Sequence, residues 1–178
     1  MRRSAPTALA MAFITACQPT TNELSEDEMA VIAETVSGLQ AQVWDAVERV
    51  NVADFMAFWH DVRETTTVID GLALPSYSTY EMFLNASGIF NYPASPETAL
   101  LVFWPSTRSH EVTIGDSRTT VLAPNVVHVM QQGRFTWTDT TGTVWPEQGF
   151  TQSTVWVLRD GAWKILFNHY SVPTPQSS

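Results

Sequence analysis

The chain has 178 residues, 44% of them hydrophobic, with seven tryptophans. That is apolar material for one domain, which at this size buries roughly two-thirds of its unfolded surface. Its 18 acidic residues outnumber 9 basic ones for a net charge of -9, and Lys164 is the only lysine, so the clustered cations that nucleic acid or anionic lipid require are missing.

Arg2 and Arg3 precede a short apolar run, ALAMAFITA, too short to span a bilayer but of the length of a secretory signal core. The run ends at Ile14-Thr15-Ala16-Cys17, which resembles a bacterial lipobox, and Cys17 is the sole cysteine, so no disulfide framework competes for it. The resemblance implies cleavage before Cys17 and a lipid on the new N-terminus. Residues 1–16 then form the signal peptide, 17–24 a polar tether, 25–173 the domain and 174–178 a tail. Gln18 stands where an inner-membrane retention signal would carry Asp, so the expected location is the periplasm-facing outer membrane, with the lipid as the only membrane attachment.

Ser25 and Glu28 have capping-box spacing, and Met29, Ile32, Val36, Leu39, Val43, Val47 and Val50 follow at intervals of three and four, predicting a long amphipathic helix. Asp54 is expected to cap a short second helix whose Phe55, Phe58 and Trp59 close over a sheet. Residues 62–70 read as a first strand turning at Asp70-Gly71 into 72–74, followed by a helix at 77–84 with Tyr77 and Tyr80 on one face. Ser95-Pro96 opens a further helix to about residue 104. From residue 109 the pattern is all strand, with strands at 109–122 and 126–138 and a polar loop at 139–149.

The final stretch is a hairpin, because Asp160-Gly161 favours a two-residue turn with positive φ at both positions. Unbroken two-residue alternation then pairs Leu158 with Trp163, Trp156 with Ile165, Thr154 with Phe167 and Gln152 with His169 on one face. The other face carries Val155 with Leu166 and Thr151 with Tyr170. The strand after the turn, GAWKILFNHYS, with Gly161, Trp163, Lys164, Ile165, His169 and Ser171, resembles the closing motif of SnoaL-like proteins. These belong to the nuclear-transport-factor-2-like superfamily, with ketosteroid isomerases and scytalone dehydratases. The order of elements agrees with that resemblance and predicts an α+β fold, a curved antiparallel sheet with helices packed on its concave face.

No pattern calls for a metal or a cofactor: paired Cys or His ligands, a phosphate-cradling Gly-rich loop and a Gly-x-Ser-x-Gly elbow are all lacking. Of the histidines at 60, 110, 128 and 169, only His169 has a register that places it beside a polar partner, Gln152. It is the candidate acid or base, since an imidazole exchanges protons near neutral pH. The base of the ketosteroid isomerases falls near Thr66 here, so their mechanism does not carry over. The expected pocket is lined by Trp59, Tyr77, Tyr80, Gln131, Gln152, Thr154, Trp156, Phe167 and His169. Three functions fit: holding a small apolar or aromatic molecule, isomerase or lyase chemistry through His169, or assembly alone. A homodimer through the convex face is expected from Val155, Leu166 and Tyr170.

Overall fold

The computed structural model describes residues 24–69, 71–85 and 107–172. Cys17, the expected signal peptide and the helix expected at 95–104 lie outside these residues. Helix α1 spans Glu26–Glu48 and α2 spans Val52–Met56; strands β1 (Thr66–Ile69) and β2 (Leu72–Leu74) follow, then helix α3 (Tyr77–Asn85). Four longer strands complete the chain: β3 (Thr107–Ala123), β4 (Val126–Asp139), β5 (Gln148–Arg159) and β6 (Ala162–Ser171). They form one six-stranded sheet in the order β2-β1-β6-β5-β4-β3. Every pairing is antiparallel except β1 with β6, which is parallel.

The capping box forms as the sequence predicts: Ser25 Oγ accepts from the Glu28 amide, and Glu28 accepts in return from the Ser25 amide at 2.8 Å. Those bonds to Ser25 hold the Glu28 carboxyl below its ordinary pKa. Helix α1 ends where Val50 takes a left-handed φ of 54°, which lets the Asn51 amide reach back to the Ala46 carbonyl at 3.1 Å. Asn51, not Asp54, then caps α2, its side chain accepting from the Asp54 amide at 3.0 Å. The Asp160-Gly161 turn has φ values of 51° and 77°, as the two-residue hairpin requires.

The apolar stripe of α1 lies on the concave face of the sheet, where Val36, Val43, Ala46 and Val47 pack with Val127, Val129, Trp156 and Ile165. Burying each large apolar side chain contributes about 1.5–3 kcal/mol, so this layer holds the helix to the sheet. Two side chains tie its far edge to β3: Ser37 Oγ meets Thr119 Oγ1 at 2.7 Å, and Glu48 accepts from the Val112 amide at 2.9 Å. On the opposite side the single lysine, Lys164, donates to the Ala57 carbonyl at the C-terminal end of α2.

Two sequence expectations fail at one place. The first strand begins only at Thr66, because residues 61–65 form a bend and turn instead. The edge of β6 is therefore paired in two pieces, by residues 58–60 across Ile165 and then by β1 from Phe167 onward. Between them β6 carries a bulge at Leu166: Trp156 still faces Ile165, but Val155 faces Phe167. Past that point the alternation inverts. Thr154 faces Asn168, Gln152 faces Tyr170 and Ser153 faces His169.

Candidate functional site

The bulge decides which side chains of β6 look inward. Asn168 and Tyr170 take the concave positions, and Phe167 and His169 go to the convex side with Val155 and Ser153. The expected neighbours Gln152 and His169 are thus on opposite faces, and His169 is solvent-exposed beside a convex His128–Ser153 hydrogen bond of 2.7 Å. Phe167, expected in the pocket, and Tyr170, expected on the convex face, exchange places for the same reason. Leu166 is the unpaired bulge residue rather than the partner of Val155.

On the concave face the inward polar groups form a chain. Gln40 of α1 is 1% exposed, and its Oε1 accepts from Trp156 Nε1 at 3.1 Å and Thr154 Oγ1 at 3.0 Å. Its Nε2 donates to Gln152 Oε1 at 3.1 Å, and Gln152 Nε2 donates to Asn168 Oδ1 at 2.9 Å. Nearby, Trp44 Nε1 donates to Gln131 Oε1 at 2.8 Å, and Gln131 Nε2 to Ser117 Oγ at 3.2 Å. Every member is neutral. Trp156 is wholly buried, with Phe58 edge-on at 6.3 Å and Gln40 on its indole. Of the wall expected there, Phe167 faces the convex side instead of joining Leu158 and Trp156.

Beyond this chain the concave face turns aromatic. Phe150 lies 4.9 Å from Trp44, 5.4 Å from Tyr170 and 6.1 Å from Phe135, and Phe135 continues to Trp137 at 5.6 Å. Gly133 makes room for Phe150: a Cβ there would stand 2.8 Å from the ring and 2.6 Å from the Thr113 carbonyl. Trp145, in the loop after β4, stacks on Trp137 at 5.2 Å and donates its indole hydrogen to Asp139 Oδ2 at 3.2 Å. Asp139 also accepts from the Thr141 hydroxyl and from the Thr141 and Thr143 amides, and these bonds, the Thr141 hydroxyl first, hold its pKa down at about 2. His110 faces Trp137 across the β3–β4 pair, and burial lowers its pKa to about 4, so it is neutral at physiological pH.

Trp59 and Tyr80 are buried with Phe55 in a separate aromatic group under α2 and α3, with Trp59 to Tyr80 at 5.4 Å and Trp59 Nε1 bonded to Thr67 Oγ1. Burial drives the Tyr80 hydroxyl far above its ordinary pKa, and burial, then Glu81 and Asp61, raises half-buried Tyr77. Gln131, Gln152 and Thr154 are therefore the expected site residues that the fold brings together near the aromatic end. Sequence reasoning missed Gln40, Asn168, Trp44 and Phe150. Gln40 had a signal: it lies four residues after Val36 and three before Val43, inside the apolar stripe. Asn168 had none, because its facing depends on the bulge. Among the described residues no group of three or more His, Cys, Asp or Glu side chains could hold a metal ion, and no helix is long and apolar enough to cross a membrane.

Solved structures share this architecture. A nuclear-transport-factor-2-like superfamily protein from Salmonella enterica serovar Typhimurium superposes with a TM-score of 0.64 at 12% identity, covering 83% of this chain and 95% of its own. A hexachlorocyclohexane dehydrochlorinase from Novosphingobium barchaimii gives 0.62 at 11% identity, over 84% and 92%. The association domain of a Caenorhabditis elegans kinase, CaMKII, gives 0.57 at 11% identity, over 82% and 98%. The domain therefore has the nuclear-transport-factor-2-like fold. No family model matches the sequence, and no curated protein matches it.

Proposed function

We propose that this chain is a non-catalytic binding protein of the cell envelope, tethered through a lipid on Cys17, that holds a small neutral molecule of apolar or aromatic character on the concave face. The observation that carries this reading is the chemistry of that face. Amides and hydroxyls are bonded to one another without an ionised member, and they adjoin an aromatic cluster of Trp44, Phe135, Phe150 and Tyr170. Such a lining fits a neutral, flat ligand and offers little to a reaction that must move a proton. Isomerase or lyase chemistry through His169 would need that ring inside, whereas it lies on the convex side opposite Ser153.

Titrating the purified domain with N-phenyl-1-naphthylamine, a neutral aromatic probe, tests the reading. A saturable rise in probe emission with matching quenching of tryptophan, unchanged in His169→Gln, is expected. Emission that climbs without saturating would overturn it.

Assembly as a homodimer is a second, compatible role, favoured by one observation. Val155, Phe167 and Met130 lie on the convex side with no described element covering them, and Met130 is 41% exposed. Proteins of this fold named as association domains support an assembly role.

A further inference from the structure

The concave chain has a direction, and one side chain sets it. An indole N–H can only donate, so the Gln40 atom that faces Trp156 Nε1 at 3.1 Å must be the carbonyl oxygen. The amide nitrogen of Gln40 then has to face Gln152, which must present its own oxygen at 3.1 Å. Gln152 in turn offers its nitrogen to Asn168, whose oxygen accepts at 2.9 Å. The assignment of amide oxygens and nitrogens, ordinarily a choice between near-equal alternatives, is forced along the whole chain by the fixed polarity of Trp156. Thr154 does not weaken it, because a hydroxyl can turn to suit either neighbour.

The chain therefore ends on a donor, Asn168 Nδ2. Asn168 is 2% exposed, and its Nδ2 meets no acceptor among the described residues. Its neighbours across the strands are Thr154 on β5 and Thr67 on β1. The oxygen of Thr67 is already engaged by Trp59 Nε1 at 3.3 Å. The next inward residue along β6 is Tyr170, which stacks on Phe150 at 5.4 Å and begins the aromatic cluster. A buried amide donor without an acceptor among the described residues thus stands at the margin of an aromatic surface.

We infer that Asn168 Nδ2 is the polar anchor of the ligand site and that the ligand is a neutral aromatic molecule bearing a carbonyl-type oxygen. This rests on the binding role proposed above and specifies the class of ligand. A hydrocarbon would leave the donor unsatisfied, and a group that can only donate would meet it head-on. A carboxylate would be buried beside neutral groups with one hydrogen bond to compensate its lost hydration.

A matched pair of ligands decides the matter: 2-acetylnaphthalene and 2-isopropenylnaphthalene, which have nearly the same shape and differ in carrying C=O or C=CH2. The wild-type domain should bind the ketone about fivefold more tightly, the range of one net neutral hydrogen bond. Asn168→Asp keeps the acceptor for Gln152 and removes the donor, so the ratio should fall to about one or invert. Trp156→Phe touches neither ligand but frees Gln40 to turn over, so the ratio should shrink there as well. A merely structural role for Trp156 would weaken both ligands alike. Equal affinities in the wild-type domain would overturn this inference while leaving the binding role standing, and no binding of either ligand would overturn both. The wild-type ratio alone is decisive, so a variant that fails to fold does not blunt the test.

Discussion

At the scale of single residues, charge is used sparingly and local hydrogen bonding decides where. Asp139 collects the Thr141 hydroxyl, two backbone amides and the Trp145 indole, and is thereby ionised down to about pH 2. An aspartate in an unfolded chain titrates near about 4, so between those values the unfolded state binds more protons. The contribution of Asp139 to stability is present above about pH 4 and is lost as pH falls through about 2. Asp139→Asn should remove this part of the acid dependence. The check is thermal unfolding of both proteins at steps across that interval, and a constant difference between them would rule the idea out. Asp139 was legible only as part of a polar loop, because its partners follow from the turn it builds rather than from a motif.

At the scale of elements, α1 and the last hairpin were the most readable parts, since each is specified within a few residues. The capping box of Ser25 and Glu28 and the positive φ at Asp160 and Gly161 are local matters that side-chain chemistry settles. The inward face of β6 was not readable, because the bulge at Leu166 answers to residues 61–65, roughly a hundred positions away in sequence. The same nonlocality hid the importance of Gln40, which looked like an interruption of an apolar stripe and is the junction joining helix to sheet. Gln40→Leu would strand the Trp156 indole and the Gln152 oxygen in a dry interior, at about 1–3 kcal/mol for each unsatisfied group. A loss of about 3 kcal/mol in urea-induced unfolding is expected, and a loss below about 1 kcal/mol would show that the chain contributes little to holding α1 in place.

At the scale of the whole molecule, the two broad faces of the sheet are chemically distinct. The concave face is occupied by helix and neutral polar links, while the convex face carries Val155, Phe167, Met130, His128 and His169 without a covering layer among the described residues. If a second copy covers it, Val155→Asp should convert a dimer to a monomer in sedimentation at micromolar concentration, and a wild-type monomer would count against the dimer. The proposed lipid tether belongs to this scale as well. Cys17→Ala should move the protein from the membrane fraction to the soluble one, and unchanged partition would argue against the lipid.

The bulge also bears on how such proteins diverge. Deleting the single codon for Leu166 would restore strict alternation along β6 and carry His169 inward to Gln152 and Phe167 to Thr154, while Asn168 and Tyr170 turned outward. Protection of His169 from diethylpyrocarbonate in the deletion variant, against its ready modification in the parent, would report the exchange. One indel, with no substitution at any site residue, would trade an amide-lined interior for one holding an imidazole. The chemistry lining the interior of this scaffold thus stands a single codon from change.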